Sequence, residues 1–188
     1  MSEPSQHAEN IDRWLALIQA DGVGPTLFHR IIGHFGGVDQ ALGARAEDFA
    51  RIEGIGPTKA NRILSSLGQT DPQRELETAQ RQGVHLIHMA DPRYPTPLKR
   101  IYDPPPILYV KGELTRRHPL CVAIVGARDC SLYGQEQAAR FARLLANAGF
   151  TIVSGMARGI DAAAHRGALS AGGQTLAVQG CGLRSSSH

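Results

Sequence analysis

The feature that most constrains this chain is a pattern that occurs twice near its C-terminal end. An apolar run meets a glycine turn carrying an arginine, and an amphipathic segment follows. The first copy is Ala123-Ile-Val-Gly-Ala-Arg-Asp-Cys-Ser-Leu-Tyr-Gly134, the second Ser154-Gly-Met-Ala-Arg-Gly-Ile-Asp161. Residues 121–125 predict a continuous apolar strand of the parallel-sheet type, with Cys121 in the core. Residues 135–148 predict a helix with Ala138, Phe141, Ala142 and Leu145 on its apolar stripe and Gly149 as its stop. A strand over 150–153, a helix over 161–171 closed by Gly172-Gly173, and a strand over 175–178 complete the series. Strand–helix–strand–helix–strand implies right-handed crossovers and a doubly wound sheet. Backbone N–H groups and the positive helix end converge at each such turn, which makes it a place for anions.

The first third of the chain has a different grammar. Residues 11–68 predict short helices separated by glycines, and they hold an internal repeat. Asp21-Gly-Val-Gly-Pro-Thr-Leu27 and Glu53-Gly-Ile-Gly-Pro-Thr-Lys59 share the order acid, Gly, β-branched residue, Gly, Pro, Thr, 32 residues apart. A period of that size indicates two copies of one supersecondary unit. Asp71-Pro72 is an N-cap followed by proline at the first helical position, so 73–82 predicts a charged helix stopped by Gly83. Residues 84–89 suit a short strand. Six prolines between 90 and 106 exclude regular sheet there and leave room for a short helix around 96–101, before a strand over 107–110. Three segments follow: a disordered tail over 1–10, a helical domain over 11–68, and a partial α/β domain over 69–188.

Composition narrows the class without choosing the function. A formal charge of +3 in 188 residues is weakly basic. The three cysteines are odd in number and lack a C-x-x-C pair, which fits a reduced, cytoplasmic protein. No run approaches the roughly 18 apolar residues of a membrane span. Cysteine spacing does not suit zinc, and His85 and His88 face opposite sides of their strand, so no metal site is expected.

Which anion the turns would hold follows from what they lack. A dinucleotide fingerprint needs G-x-G-x-x-G and an acid at the end of the next strand. Here Arg128 stands where the second glycine belongs, and the strand ends in Val153-Ser154. A nicotinamide cofactor is therefore not expected. A guanidinium suits phosphate oxygens, although Arg128 could instead pair with Asp129 or Asp161. Ser131 is placed to cap the first helix. Ser154-Gly155 and Arg158-Gly159 repeat the chemistry of hydroxyl, amide and cation, and Asp161 reads as a structural cap. A hydrolase built on Ser154, Asp161 and His165 lacks the G-x-S-x-G elbow. In the helical segment, Gly54-Ile-Gly56 with Lys59 resembles the helix-hairpin-helix motif, in which a hairpin's amides meet a nucleic-acid phosphate. The copy at Gly22-Val-Gly24 has Leu27 in place of the lysine, and both copies could equally be packing units with glycine caps.

Taken in order, the motifs resemble one family. Asp91-Pro-Arg-Tyr-Pro95, Leu98, Asp103-Pro-Pro-Pro-Ile-Leu-Tyr-Val-Lys-Gly112, Ile124-Val-Gly-Ala-Arg128 with Ser131, Tyr133 and Gly134, and Ser154-Gly-Met-Ala-Arg-Gly-Ile-Asp-Ala-Ala-Ala-His165 with Gly167-Ala-Leu169 are similar to the DNA-processing protein A (DprA/Smf) family. The resemblance runs from about residue 10 to 182. It implies a helical N-terminal domain of helix-hairpin-helix, SAM-like type followed by a partial, mostly parallel Rossmann-like sheet with flanking helices. It implies binding of single-stranded DNA, loading of RecA recombinase in DNA processing and natural transformation, and no catalysis. Carried over by position, Gly126, Arg128, Ser131, Ser154, Gly155, Arg158 and Gly159 line the DNA pocket, and Lys59, through the helix-hairpin-helix likeness, is a further nucleic-acid contact in the helical domain. Asp129 departs from the family's neutral or basic residue after the arginine. The chain also stops where the family continues into further strands, further DNA contacts and the homodimer surface, which marks it as truncated. Two rival functions stand beside this one. One is a nucleotide-processing enzyme of the Lys-decarboxylase-like phosphoribohydrolase type, whose G-G-x-G-T-x-x-E segment is missing after the third strand. The other is a protein-interaction module with an inactive pocket.

Overall fold

The computed structural model describes residues 11–114 and 120–180. The tail over 1–10, expected to be disordered, and Cys181, one of the three cysteines, lie outside the described residues. By its internal contacts the chain divides into two units, Met1–Leu114 and Thr115–His188.

The first unit begins with five helices: α1 (Ile11–Gln19), α2 (Pro25–Phe35), α3 (Val38–Leu42), α4 (Ala46–Phe49) and α5 (Pro57–Leu67). Their apolar stripes meet in a core of Trp14, Leu17, Phe28, Ile31, Phe49, Ile52, Ile55 and Ile63. The repeat seen in the sequence is also a repeat of geometry. Gly22 and Gly54 have φ of 81° and 85°, a left-handed conformation that glycine adopts without a Cβ penalty. Gly24 and Gly56 then extend the chain as N-caps, and Pro25 and Pro57 start the following helices. Each copy sends an arginine into the other's turn. Arg30 donates from Nη1 to the Glu53 carbonyl at 3.2 Å, and Arg62 pairs through Nε with Asp21 at 3.3 Å. Each hairpin thus reaches the other's turn through one exposed guanidinium.

Helix α6 (Pro72–Arg81), capped by the Asp71 carboxylate on the Arg74 amide at 3.0 Å, leads into β1 (Val84–His88). After a 3-10 turn at Leu98–Arg100 comes β2 (Ile107–Lys111), antiparallel to β1 with His88 opposite Ile107 and Val84 opposite Lys111. This ladder packs on the helical core: the rings of Trp14 and His88 stack at 4.8 Å, and Met89 and Ile107 border the cluster. The proline-rich connection is held by polar bonds rather than by sheet. Buried Asp91 accepts from the Arg93 amide at 2.7 Å and from its guanidinium at 2.7 to 3.2 Å, while the Tyr94 hydroxyl donates to the Pro105 carbonyl at 2.8 Å. Burial pushes the Asp91 carboxyl up, but the bonds from Arg93 and its charge outweigh burial and hold it below the usual carboxylate range.

The second unit runs β3 (Cys121–Ala123), α7 (Leu132–Asn147), β4 (Thr151–Ser154), α8 (Ile160–Ser170) and β5 (Thr175–Ala177). All three strands are parallel, in the order β3-β4-β5. Ala142 and Ala146 of α7 and Ala164 and Ala168 of α8 close over Ile152. Because the strand order does not reverse, right-handed crossovers put both helices on one face. The helix layer that a doubly wound sheet has on its other face is not among the described residues. Two expectations about the core are corrected for this reason. Cys121 is exposed, not core: β3 is an edge strand, and the residue lies on the face opposite Ile152. Phe141 is 57% exposed, because the buried stripe of α7 is Ala138, Ala142 and Ala146 and Phe141 lies on its flank. Small residues on that stripe let α7 and α8 come close. A Cβ added to Gly167 would stand 2.2 Å from the Ala139 carbonyl oxygen.

Candidate nucleic-acid interface

The crest of the second unit is made by residues 124–131 after β3 and 155–159 after β4. Parallel pairing carries on past the strands, with the Ile124 amide donating to the Val153 carbonyl at 3.0 Å and the Val178 amide to the Ser154 carbonyl at 2.8 Å. Both turns therefore leave the same end of the sheet, side by side.

One carboxylate fastens them. Asp161, 6% exposed, accepts from the Gly126 amide through Oδ1 at 3.3 Å and from the Gly155 amide through Oδ2 at 3.2 Å. The N-cap of α8 is Gly159, and Asp161, second in the helix, spends its oxygens on the two turns instead of on its own first-turn amides. Three further contacts tighten the pair. The Ile160 amide donates to the Ala127 carbonyl at 3.3 Å. Arg158 Nη2 pairs with Asp129 at 3.2 Å, with both side chains largely in solvent, so this pair adds little stability. Gly159, at φ 84°, passes so close that a Cβ there would lie 2.3 Å from the Ala127 carbonyl oxygen. Gly126 is equally confined, with a notional Cβ 2.7 Å from Ile160 Cγ1.

The residues singled out in the sequence are placed in different ways. Ser154 is buried, and its hydroxyl donates to the Ile124 carbonyl at 2.6 Å. Gly126 and Gly155 have their amides on Asp161. Ser131 is the N-cap of α7 and accepts from the Gly134 amide at 3.1 Å, while its position stays exposed. Arg128 is exposed and has no ion pair among the described residues, so neither Asp129 nor Asp161 holds it. The amides of Ala127, Arg128, Met156 and Ala157 likewise have no acceptor among the described residues. Met156 has φ 59°, a left-handed conformation that costs a non-glycine residue roughly 1–3 kcal/mol and that clusters at ligand sites. Lys59 belongs to the other unit, where it lies half-buried on α5.

The crest does not assemble Ser154, Asp161 and His165 into a triad. His165 Nδ1 lies 2.6 Å from Thr175 Oγ1, and that hydroxyl donates to the Ile152 carbonyl at 2.8 Å, so the imidazole N–H is on Nδ1. Neither Ser154 nor Asp161 contacts His165 through a hydrogen bond. Among the described residues no group of His, Cys, Asp and Glu could hold a metal, and no helix is long and apolar enough to cross a membrane. Sequence reasoning passed over Ile160, which fills the space under Gly126, and three arginines on α7 and α8. A signal for two of the latter was present in the spacing of Arg140 and Arg143, which puts both on one side of a helix.

Comparison with known proteins bears on this arrangement. A family model described as DNA recombination-mediator protein A matches residues 85–187, and a SAM-like helix-hairpin-helix tandem matches residues 15–69. Protein Smf of Synechocystis sp. is 38% identical over 174 residues, covering 90% of this chain and 44% of that protein. The DNA processing protein DprA of Streptococcus pneumoniae is 46% identical over 93 residues, covering 50% of this chain and 33% of its own. The X-ray structure of DprA from the same organism superposes with a TM-score of 0.75 at 30% identity, over 93% of this chain and 59% of that one. The sequence matches thus cover less than half of each of these two relatives, and the structural match covers 59% of the DprA chain.

Proposed function

This chain belongs to the DNA recombination-mediator protein A family, the DprA/Smf proteins, and from that premise we propose that it binds single-stranded DNA at the crest of its second unit, without catalysis. Arg128 is the observation behind the reading. It is an exposed guanidinium that, among the described residues, has no acid partner, on a turn whose neighbouring amides likewise have no acceptor there. A phosphate bound there would take charge-assisted bonds from the Arg128 fork and from amides of the Ala127–Arg128 and Met156–Ala157 segments. Ser131 would contribute its hydroxyl proton, and Arg158 would exchange Asp129 for a phosphate. Gly126, Ser154, Gly155 and Gly159 shape the crest, and Asp161 clamps it. Lys59 would add an accessory contact from the second hairpin. The bound strand would be passed to RecA recombinase in the cytoplasm by a homodimer, in natural transformation or recombination.

Anisotropy of labelled oligonucleotides tests the reading. Affinity should favour single over double strands and fall with salt by a log–log slope of about −0.7 per phosphate. Arg128→Ala should weaken all sequences about equally and make the slope shallower by about one phosphate. An unchanged affinity in that variant would remove the crest from consideration. One observation favours a separate role for the helical unit. Arg30 and Arg62 occupy the hairpin turns, which suits an interaction module, and residue-59 substitution without effect on DNA affinity would support that role.

A further inference from the structure

The seam between α7 and α8 holds a feature that the crest does not use. Gly167 lies against the Ala139 backbone, and the two helices come together tightly enough to bring their outer side chains to one open groove of about 380 Å³. Arg140 and Arg143 line it from α7 and Arg166 from α8, with Ser170 at its far end and Glu136 as its one acid. All three arginines are exposed. The ion pairs among the described residues engage Arg13, Arg51, Arg62, Arg93 and Arg158, so Glu136 neutralises none of the three. Three like charges in one seam repel one another, and among the described residues no ion pair engages any of them, with Glu136 the one acid in the lining. That arrangement is costly for a surface with no anionic partner, and a guanidinium fork suits phosphate oxygens.

Position then selects the anion. Both helices start at the crest and run away from it. At 1.5 Å per residue, Arg140 and Arg143 lie about 12 and 17 Å along α7, and Arg166 about 9 Å along α8. The arginines of the groove therefore lie about 9–17 Å from the helix starts at the crest, along the direction of the helix axes. We infer that the Arg140–Arg143–Arg166 seam is a second phosphate-binding stretch, which takes the backbone of the same single strand a few nucleotides beyond the turns. This rests on the crest binding DNA, and the two ideas fail in different ways. An acidic protein segment could use the same charges, but the shared origin of the crest and the seam on two adjoining helices favours one continuous polyanion.

Two oligonucleotides separate the outcomes, one of roughly 5 nucleotides that fills the crest and one of roughly 20 that reaches the seam. The full chain is compared with R140A/R143A/R166A and with the triple lysine replacement. The alanine variant should lose about 10- to 100-fold in affinity for the long strand, and its salt slope should become shallower by about 2. Short-strand affinity should stay as in the parent, and lysine should restore most of the loss. Unchanged melting temperature in both variants, expected for exposed side chains, keeps folding out of the comparison. If the parent binds the long strand, Arg128→Ala weakens it and the alanine triple does not, the seam is refuted while the crest stands. Failure of the parent to bind either strand refutes both. Polyglutamate captured by the parent but not by the alanine triple, with long-strand affinity unmoved, would assign the seam to an acidic protein partner and overturn the inference.

Discussion

Replacing Asp161 by alanine removes the one acceptor shared by the two crest turns. The Gly126 and Gly155 amides each lose a charged partner, at 3.3 and 3.2 Å, in a site where the carboxylate is only 6% exposed. Those distances are longer than the roughly 2.7–2.9 Å of an optimal charge-assisted bond, so each belongs at the weak end of its range. Leaving a partly buried N–H unmade costs about 1–3 kcal/mol. Two amides therefore set an expectation of about 2–4 kcal/mol, once the weak geometry is counted. For a unit of this size each kcal/mol is worth roughly 4–8 °C, so the second unit should melt about 10–30 °C lower. Asp161→Asn keeps one oxygen but sets an NH₂ against the other amide, and should fall between the parent and the alanine variant. Thermal unfolding followed by circular dichroism, with and without added phosphate, reads the effect. Phosphate should stabilise the alanine variant more than the parent, because its two released amides accept an anion in place of the carboxylate. A midpoint for Asp161→Ala within about 1 °C of the parent would show that the carboxylate does not clamp the turns, and the account of the crest would fail with it.

Two other perturbations test the same unit. Gly167→Ala puts a methyl 2.2 Å from the Ala139 carbonyl oxygen, a clash with backbone that only separation of the helices relieves. It should cost about 3 kcal/mol or more in urea unfolding, beyond the 1–3 kcal/mol typical of overpacking, and a cost under about 1 kcal/mol would mean that α7 and α8 do not meet there. Stability should also fall as the solution is acidified below the ordinary histidine value near 6.5. Burial lowers the His165 pKa, against a smaller upward pull from Asp161, and its Nε2 is buried with no acceptor among the described residues. A lowered folded pKa means that stability is fully present above the unfolded value and is lost as pH drops toward the folded one. His165→Gln should flatten that part of the curve, and an identical slope in both proteins would refute the assignment.

Much of the fold was legible because its signals are local. Pro57 and Gly68 bracket α5, and the acid-Gly-β-branched-Gly-Pro-Thr repeat foretold two hairpins of matching dihedral angles. Parallel strands and their helices followed from apolar runs punctuated by glycine. What escaped has longer reach. The reciprocal placement of Arg30 and Arg62 depends on how two helices cross. Phe141 shares the period of the buried alanines, but periodicity marks an apolar stripe without saying how wide a neighbour covers it. The edge position of β3, which exposes Cys121, depends on strand order and not on strand composition.

The crest itself shows where local reading stops. Glycine turns at helix starts announce amides for an anion, and the sequence offers seven residues to surround one. The fold then supplies an anion of its own. Asp161 takes the amides of Gly126 and Gly155 across 35 and 6 residues of chain, so the donors nearest the strands hold the turns together and only those farther out remain. A carboxylate at that point also repels phosphate, which pushes a bound strand outward toward Arg128 and away from the glycines. The glycines are then needed for close packing against Ile160 and the neighbouring turn, while recognition falls to the arginines. On this view Gly126→Ala should damage folding first and binding only as a consequence, whereas Arg128→Ala should damage binding alone. The same two variants, each measured for melting temperature and for oligonucleotide affinity, divide the crest into the part that shapes it and the part that binds.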